Sequence, residues 1–259
     1  SFVNGMQQLT DSMADAAGRE RMRTGVSVSS LQRMPKGGWH ALLSDGSSVD
    51  GDAVIVATES WTAEPLLRPL DGAIADALAA IPTSSSATIS IAFKENEVGV
   101  DLNAFGVLCP LVENRALMAA TYSSTKWPGH APKGRVLLRG FVGGPHNQEI
   151  LKRSDEELVQ IALEEFQDIL GLNPFAKPLF SRVFRWYLGM PQYTLGHLDR
   201  IALIENRSAQ IPGLALAGGS YRGVGVPNCI ESGERAVSKV FNELGIDLAE
   251  DHIEEKRYY

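Results

Sequence analysis

The residues best suited to chemistry in this chain of 259 residues lie near its end. Residues 214–217 form a short apolar run of the length of a buried strand. A loop with Gly218, Gly219, Gly223 and Gly225 follows, and then a stretch whose apolar residues Ile230, Gly233, Val237, Val240 and Phe241 share one helical face. Asn228 suits the N-cap of that helix, with Glu231 three residues on. Glycines let main chain approach a bulky ligand because no Cβ stands in the way. A helix N-terminus adds unpaired N–H groups and a partial positive charge. Strand, glycine loop and helix is therefore how a backbone comes close to an anionic or polar cofactor. A glycine-rich turn without a ligand has the same spacing, since the order is not G-x-G-x-x-G.

A second stretch, 182–203, sets Phe184, Trp186, Tyr187 and Tyr193 beside Gly189 and Pro191. Such a segment can wall a flat apolar ligand or simply form an aromatic core strand. The sequence has no Ser-His-Asp arrangement, H-E-x-x-H, Walker A motif or Cys/His cluster. Enzymes whose cofactor does the chemistry need none of these, so no catalytic side chain is named. Cys109 and Cys229 are far apart and read as buried free thiols. Lys126 and His130 read as solvated loop residues, and His197 as a structural hydrogen-bonding histidine.

The elements that must position these stretches come in order. Met6, Leu9, Met13 and Ala16 have the spacing of a core-packing amphipathic helix, with Asn4-Gly5 before it and Gly18 closing it. A β-meander follows: strands at 26–28 and 39–43, a turn at 36–38, a hairpin turn at Asp45-Gly46, and a continuous apolar strand, 52–58, expected to be central in a sheet. Residues 61–81 read as helix interrupted by Pro65, Pro69 and Pro82. Strands at 87–93, 105–109, 116–122 and 135–142 predict a mainly antiparallel sheet, with a loop at 124–132. The clearest helix is 154–170: Ser154 and Glu157 form a capping box, Leu158, Ile161, Ala162, Phe166, Ile169 and Leu170 form one stripe, and Gly171 ends it. Residues 247–259 read as a charged tail.

A net charge of −7 with no basic stripe argues against nucleic acid as a partner. No apolar run approaches the ~18 residues of a membrane span, and no signal peptide is visible. The chain opens at Ser1 inside what reads as a structural element, which is the expectation for a truncated chain.

The wording of the glycine stretch, LAGGSYRGVGVPNCIESGERA, resembles the C-terminal flavin motif of the protoporphyrinogen/coproporphyrinogen oxidases, within the FAD-dependent amine oxidase superfamily. Asn228 stands where that family more often has Asp, and both are good caps. MPQYTLGHLDRI, the loop SSTKWPGHAP (with His130 for a frequent Arg), NGMQQL and DAVIVAT are similar to the same family. The resemblance implies FAD as cofactor. Backbone contacts to the ribityl chain and flavin ring are implied for Gly223, Val224, Gly225 and Val226, a flavin contact for Trp186, and an adenine-end contact for the backbone of Val28.

The implied fold is α/β: part of an FAD-binding Rossmann-like domain at 1–60, a substrate domain with a mainly antiparallel sheet at 61–210, and a return to the FAD domain at 211–246. The implied reaction is oxidation of protoporphyrinogen IX or coproporphyrinogen III to the porphyrin with O2 as acceptor, in the cytoplasm or peripheral to a membrane. The family opens with a strand, G-x-G-x-x-G and an acidic ribose ligand that this sequence lacks. A missing N-terminal segment or subunit is therefore expected, and FAD binding by this chain alone is expected to be weak or absent. Two alternatives stand beside this reading. One is another flavin amine oxidase relative acting on an amine or a carotenoid. The other is a non-catalytic half of a split flavoprotein.

Overall fold

The computed structural model describes residue 2 and residues 4–246. The tail expected at 247–259 lies outside the described residues. Contacts divide the chain into two units. One takes the residues up to Met22 and Thr83–Met190; the other takes Arg23–Pro82 and the residues from Pro191 onward. The division falls later than the crossing expected at 61 and earlier than the return expected at 211. The helices between 60 and 79 share a core with the meander and with residues 201–221, and so belong with them.

The first unit opens with α1 (Gln7–Ala17). Its N-cap is Met6 rather than Asn4 or Gly5, and none of its residues is buried. The face expected to pack in a core is thus open, with Met6 and Met13 exposed. The unit then comprises β5 (Thr83–Lys94), α4 (Glu95–Val98), β6 (Gly106–Leu108), β7 (Leu117–Tyr122), α5 (Ser123–Lys126), β8 (Arg135–Gly143), α6 (Asp155–Leu170) and β9 (Phe180–Pro191). The strands form one sheet in the order β6-β7-β8-β5-β9, and the pairs among β5, β6, β7 and β8 are antiparallel.

On β5 the alternation of Ala87, Ile89, Ile91 and Phe93 sends all four side chains into the core, as the two-residue period of a strand requires. Leu158, Ala162 and Phe166 of α6 pack on them. The capping box at Ser154 and Glu157 forms as expected, and Gly171 ends the helix in the left-handed region at φ 72°. Gly140 of β8 lets sheet and helix meet, since a Cβ there would stand 3.0 Å from Leu117 and 3.5 Å from Phe166. The loop expected at 124–132 begins instead with the short α5, after which His130 stacks on Trp127 at 5.5 Å.

The second unit holds β1 (Val28–Arg33), β2 (Trp39–Leu43), β3 (Ser48–Gly51), β4 (Val54–Val56), α2 (Ser60–Leu67), α3 (Gly72–Ala79), α7 (His197–Ser208), β10 (Leu214–Leu216) and α8 (Val226–Leu244). The meander β1-β2-β3 is antiparallel. Its first strand starts at Val28, where 26–28 was expected, because the pairing with β2 runs from Val28 to Arg33 with a bulge after Val28. The apolar 52–58 run, expected in the middle of a sheet, pairs in parallel with β10, and the two make a two-stranded sheet among the described residues.

The 61–81 stretch is two helices. The break carries Pro69, and Asp71 caps α3 by accepting from the N–H groups of Ala73 and Ile74. Pro65 is tolerated inside α2, which ends two residues later. Leu31, Trp39, Val56, Leu67, Ile74, Leu78, Ile201, Ile204, Leu214 and Tyr221 form the core of this unit. A smaller cluster joins Ala236 and Val240 of α8 to Ala215 and Ala217. The packing side of α8 is therefore centred on these two residues, and Ile230, expected on it, is exposed.

Candidate functional site

The glycine loop leaves β10 at Ala217 and enters α8 at Val226. The N-cap of α8 is Gly225, with Pro227 in the first turn and no side chain capping it. Asn228, expected as the N-cap, is the third helical residue, because Pro227 is already shaped for the first turn. Its side chain lies back along the loop. A Cβ on Gly223 (φ +155°) would sit 2.6 Å from Asn228 Cγ, and one on Gly225 2.8 Å from Asn228 Oδ1. Two of the four glycines are thus required by one neighbouring side chain. By helix geometry the N–H groups of Val226 and Asn228 have no partner within the helix, and Pro227 has none to offer.

Groups from elsewhere in the unit, most of them side chains, hold the loop. Gly218 N–H donates to Ser232 Oγ at 3.1 Å. Ser220 Oγ accepts from the N–H of Ser60 at 3.0 Å. The Tyr193 hydroxyl donates to the Gly219 carbonyl at 2.7 Å and accepts from the Gly223 N–H at 2.8 Å. His197 Nε2 lies 2.8 Å from the Tyr221 carbonyl oxygen, and its ring stacks on Tyr193 at 4.0 Å and 14°. Arg222 pairs with Glu205 of α7, whose carboxylate pushes the guanidinium pKa up. Desolvation pushes the phenols of Tyr193 and Tyr221 up.

The loop's end presents apolar side chains beside these free helix amides: Val224, Val226 and Ile230 are all exposed. A flat ring with an apolar face and a polar edge matches that surface. The residues present therefore fit the ring end of a flavin. The G-x-G-x-x-G turn that would hold its pyrophosphate is absent from the sequence.

Of the residues singled out in the sequence, Gly223, Val224, Gly225 and Val226 form this loop end. Val28, half-exposed, starts β1 in the same unit. Trp186 belongs to the other unit, on β9, and is 59% exposed. The 182–203 stretch is thus split: its first part is the edge strand β9, with Phe184, Trp186 and Tyr187 exposed, and its last part is α7. His197 is the buried hydrogen-bonding residue expected of it. The sequence marked Tyr193 only as one of the aromatics of 182–203, not as a tie of the loop, and did not mark Ser60, Ser220 or Ser232. The signal available for Tyr193 was its place four residues before His197 in PQYTLGH.

The fold and sequence have clear relatives. Over residues 2–241 the chain matches the family model described as flavin containing amine oxidoreductase. It is 32% identical over 94% of its length to a coproporphyrinogen III oxidase of Bacillus subtilis (strain 168), covering 51% of that protein. It is 30% identical over 93% of its length to a chloroplastic protoporphyrinogen oxidase of Nicotiana tabacum, covering 46% of that protein. A crystal structure from Exiguobacterium sp. 255-15, provisionally named a protoporphyrinogen oxidase, superposes with a TM-score of 0.80 at 28% identity, over 95% of this chain and 52% of that one. The chain spans about half the length of the curated relatives it matches. The flavin and the mixed α/β fold expected from the sequence are those of these relatives, and the chain belongs to the flavin containing amine oxidoreductase family.

Proposed function

We propose that this chain is part of an FAD-dependent oxidase that converts coproporphyrinogen III or protoporphyrinogen IX to the porphyrin, with O2 as electron acceptor. The observation that carries the reading is its similarity, over more than nine-tenths of its length, to proteins with those two names. When bound, FAD would supply the hydride acceptor that no side chain here provides, and O2 would be the terminal electron acceptor. The chain's own residues bind and orient. The backbone from Gly223 to Val226 would hold the ribityl chain and ring, the backbone of Val28 the adenine end, and Trp186 would contribute a cofactor contact. The exposed aromatics of β9 offer flat apolar surface to a macrocycle.

A separate N-terminal segment or subunit completes the pyrophosphate site in this reading, and the setting is the cytoplasm. Among the described residues no helix is long and apolar enough to cross a membrane. A peripheral membrane contact is part of the same reading, and co-sedimentation with vesicles tests it.

The decisive experiment compares this chain with the product of its gene's whole reading frame. Flavin absorbance is recorded for each, with the porphyrin fluorescence formed from each porphyrinogen. A yellow, active long product supports the proposal and identifies the substrate. A long product that takes no flavin, or that binds flavin and oxidises neither porphyrinogen, overturns it; turnover of an amine by the latter would point to the amine oxidase alternative.

A further inference from the structure

We infer that Tyr193 is a positioning residue for the cofactor, acting through the loop of residues 218–225. The inference rests on the flavin reading above and names a residue which that reading did not use.

The Tyr193 hydroxyl ties the two arms of the loop together. It donates to the carbonyl of Gly219, just after β10, and accepts from the N–H of Gly223, two residues before the helix cap. A neutral phenol can do both at once, whereas a phenolate could only accept. A phenol is neutral below its ordinary pKa of about 10, and partial desolvation shifts this one further up. The ring is placed in turn by the stack on His197, and His197 is placed by its bond to the carbonyl of Tyr221, in the middle of the same loop. Gly219, Tyr193, Gly223, His197 and Tyr221 therefore form a closed circuit in which Tyr193 alone touches both arms.

The loop needs such a tie. Its bonds run to side chains of Ser232, Tyr193, His197 and Glu205 and to the backbone N–H of Ser60 rather than along a sheet ladder. Gly223 sets the direction in which Val224 and Val226 are presented, and it is held from outside by this hydroxyl. Removing one oxygen atom keeps the ring and its stack and loosens both arms. Tyr193 is 43% exposed, so water can reach the freed groups and the global fold loses little.

The test compares the wild-type product of the whole reading frame with its Tyr193→Phe variant. Amide exchange is followed at Gly223, with Ala215 and Val240 as controls, and FAD affinity is titrated by flavin fluorescence. The denaturant midpoint is measured alongside. The expected result is exchange at Gly223 at least about tenfold faster, controls unchanged, FAD affinity about tenfold weaker and the unfolding midpoint unmoved. Unchanged exchange at Gly223 overturns the inference. So does a lowered midpoint with unchanged FAD affinity of the folded protein, which is the signature of a merely structural tyrosine. If the wild-type product binds no FAD, the flavin reading is itself overturned and the positioning role falls with it, even where Gly223 exchange rises. Binding by wild type with no loss in the variant overturns this inference alone.

Discussion

His197 Nε2 lies 2.8 Å from the carbonyl oxygen of Tyr221, inside the core of the second unit. A carbonyl oxygen only accepts, so Nε2 must carry the proton. In the neutral ring Nδ1 is then the acceptor, and it is buried with no protein partner among the described residues. Nitrogen-15 shifts of the imidazole should report the Nε2–H tautomer, and the Nδ1–H tautomer would contradict this geometry. His197→Ala removes the donor to a loop carbonyl and leaves a cavity beneath Tyr193. The expected loss is roughly 2–4 kcal/mol, measured by denaturant unfolding.

Gly223 and Asn228 should be energetically coupled. An alanine at 223 meets two obstacles: a positive φ of +155° and the Asn228 side chain 2.6 Å from the new Cβ. Gly223→Ala should cost about 1–3 kcal/mol. Asn228 Cβ itself would stand 2.7 Å from the new Cβ, so adding Asn228→Gly, which removes it along with Cγ, relieves the second obstacle and leaves the first. The double variant should therefore recover part of the loss, with a coupling of at least about 0.5 kcal/mol in a double-mutant cycle. Strict additivity would show that the backbone conformation alone demands the glycine.

The parts of the fold that were legible are those in which local signals agree with packing. Residues 154–170 carry a capping box, an apolar stripe and a terminal glycine, and α6 forms between those limits. Trp39 to Leu43 reads as a strand and is one. The errors arise where a neighbour decides. Asn228 has the right type for an N-cap, but Pro227 moves the helix start to Val226 and turns the asparagine toward Gly223. The spacing in α1 is that of a packed helix, yet none of its residues is buried. Within the candidate site the glycines were visible because their spacing is local. The loop-tying role of Tyr193 was not, because its two loop partners are 26 and 30 residues away and no periodicity encodes such a bond.

Asp71 gives the second unit a predictable acid sensitivity. Burial alone would raise its pKa, but the N–H of Ile74 and the guanidinium of Arg207, with the N–H of Ala73, outweigh it and hold the carboxyl below the ordinary range. A carboxylate depressed by folding contributes stability above its unfolded pKa of about 3.9, and that contribution is lost as pH falls through the lower folded value. Asp71→Ala should therefore destabilise by roughly 1–2 kcal/mol near neutral pH. The gap between variant and wild type should close at lower pH. Unfolding midpoints measured from pH 7 downward check this, and a gap independent of pH would assign the loss to packing alone.

Trp186 separates a binding role from a structural one. Its side chain is 59% exposed on the edge strand β9, so truncation leaves little cavity in this unit. Trp186→Ala should change stability by no more than about 0.5 kcal/mol. Phe166→Ala, in the fully buried centre of the same unit, should cost about 3–5 kcal/mol and serves as the scale for a structural loss. If Trp186 packs on the flavin as proposed, the same truncation should weaken FAD binding in the product of the whole reading frame and alter the flavin fluorescence, with the unfolding curve unmoved. A variant of unchanged stability and unchanged FAD affinity would remove Trp186 from the cofactor contacts and leave its exposed face to the substrate side. A fall in kcat/KM for the porphyrinogen, at unchanged flavin content, would then be the expected signature.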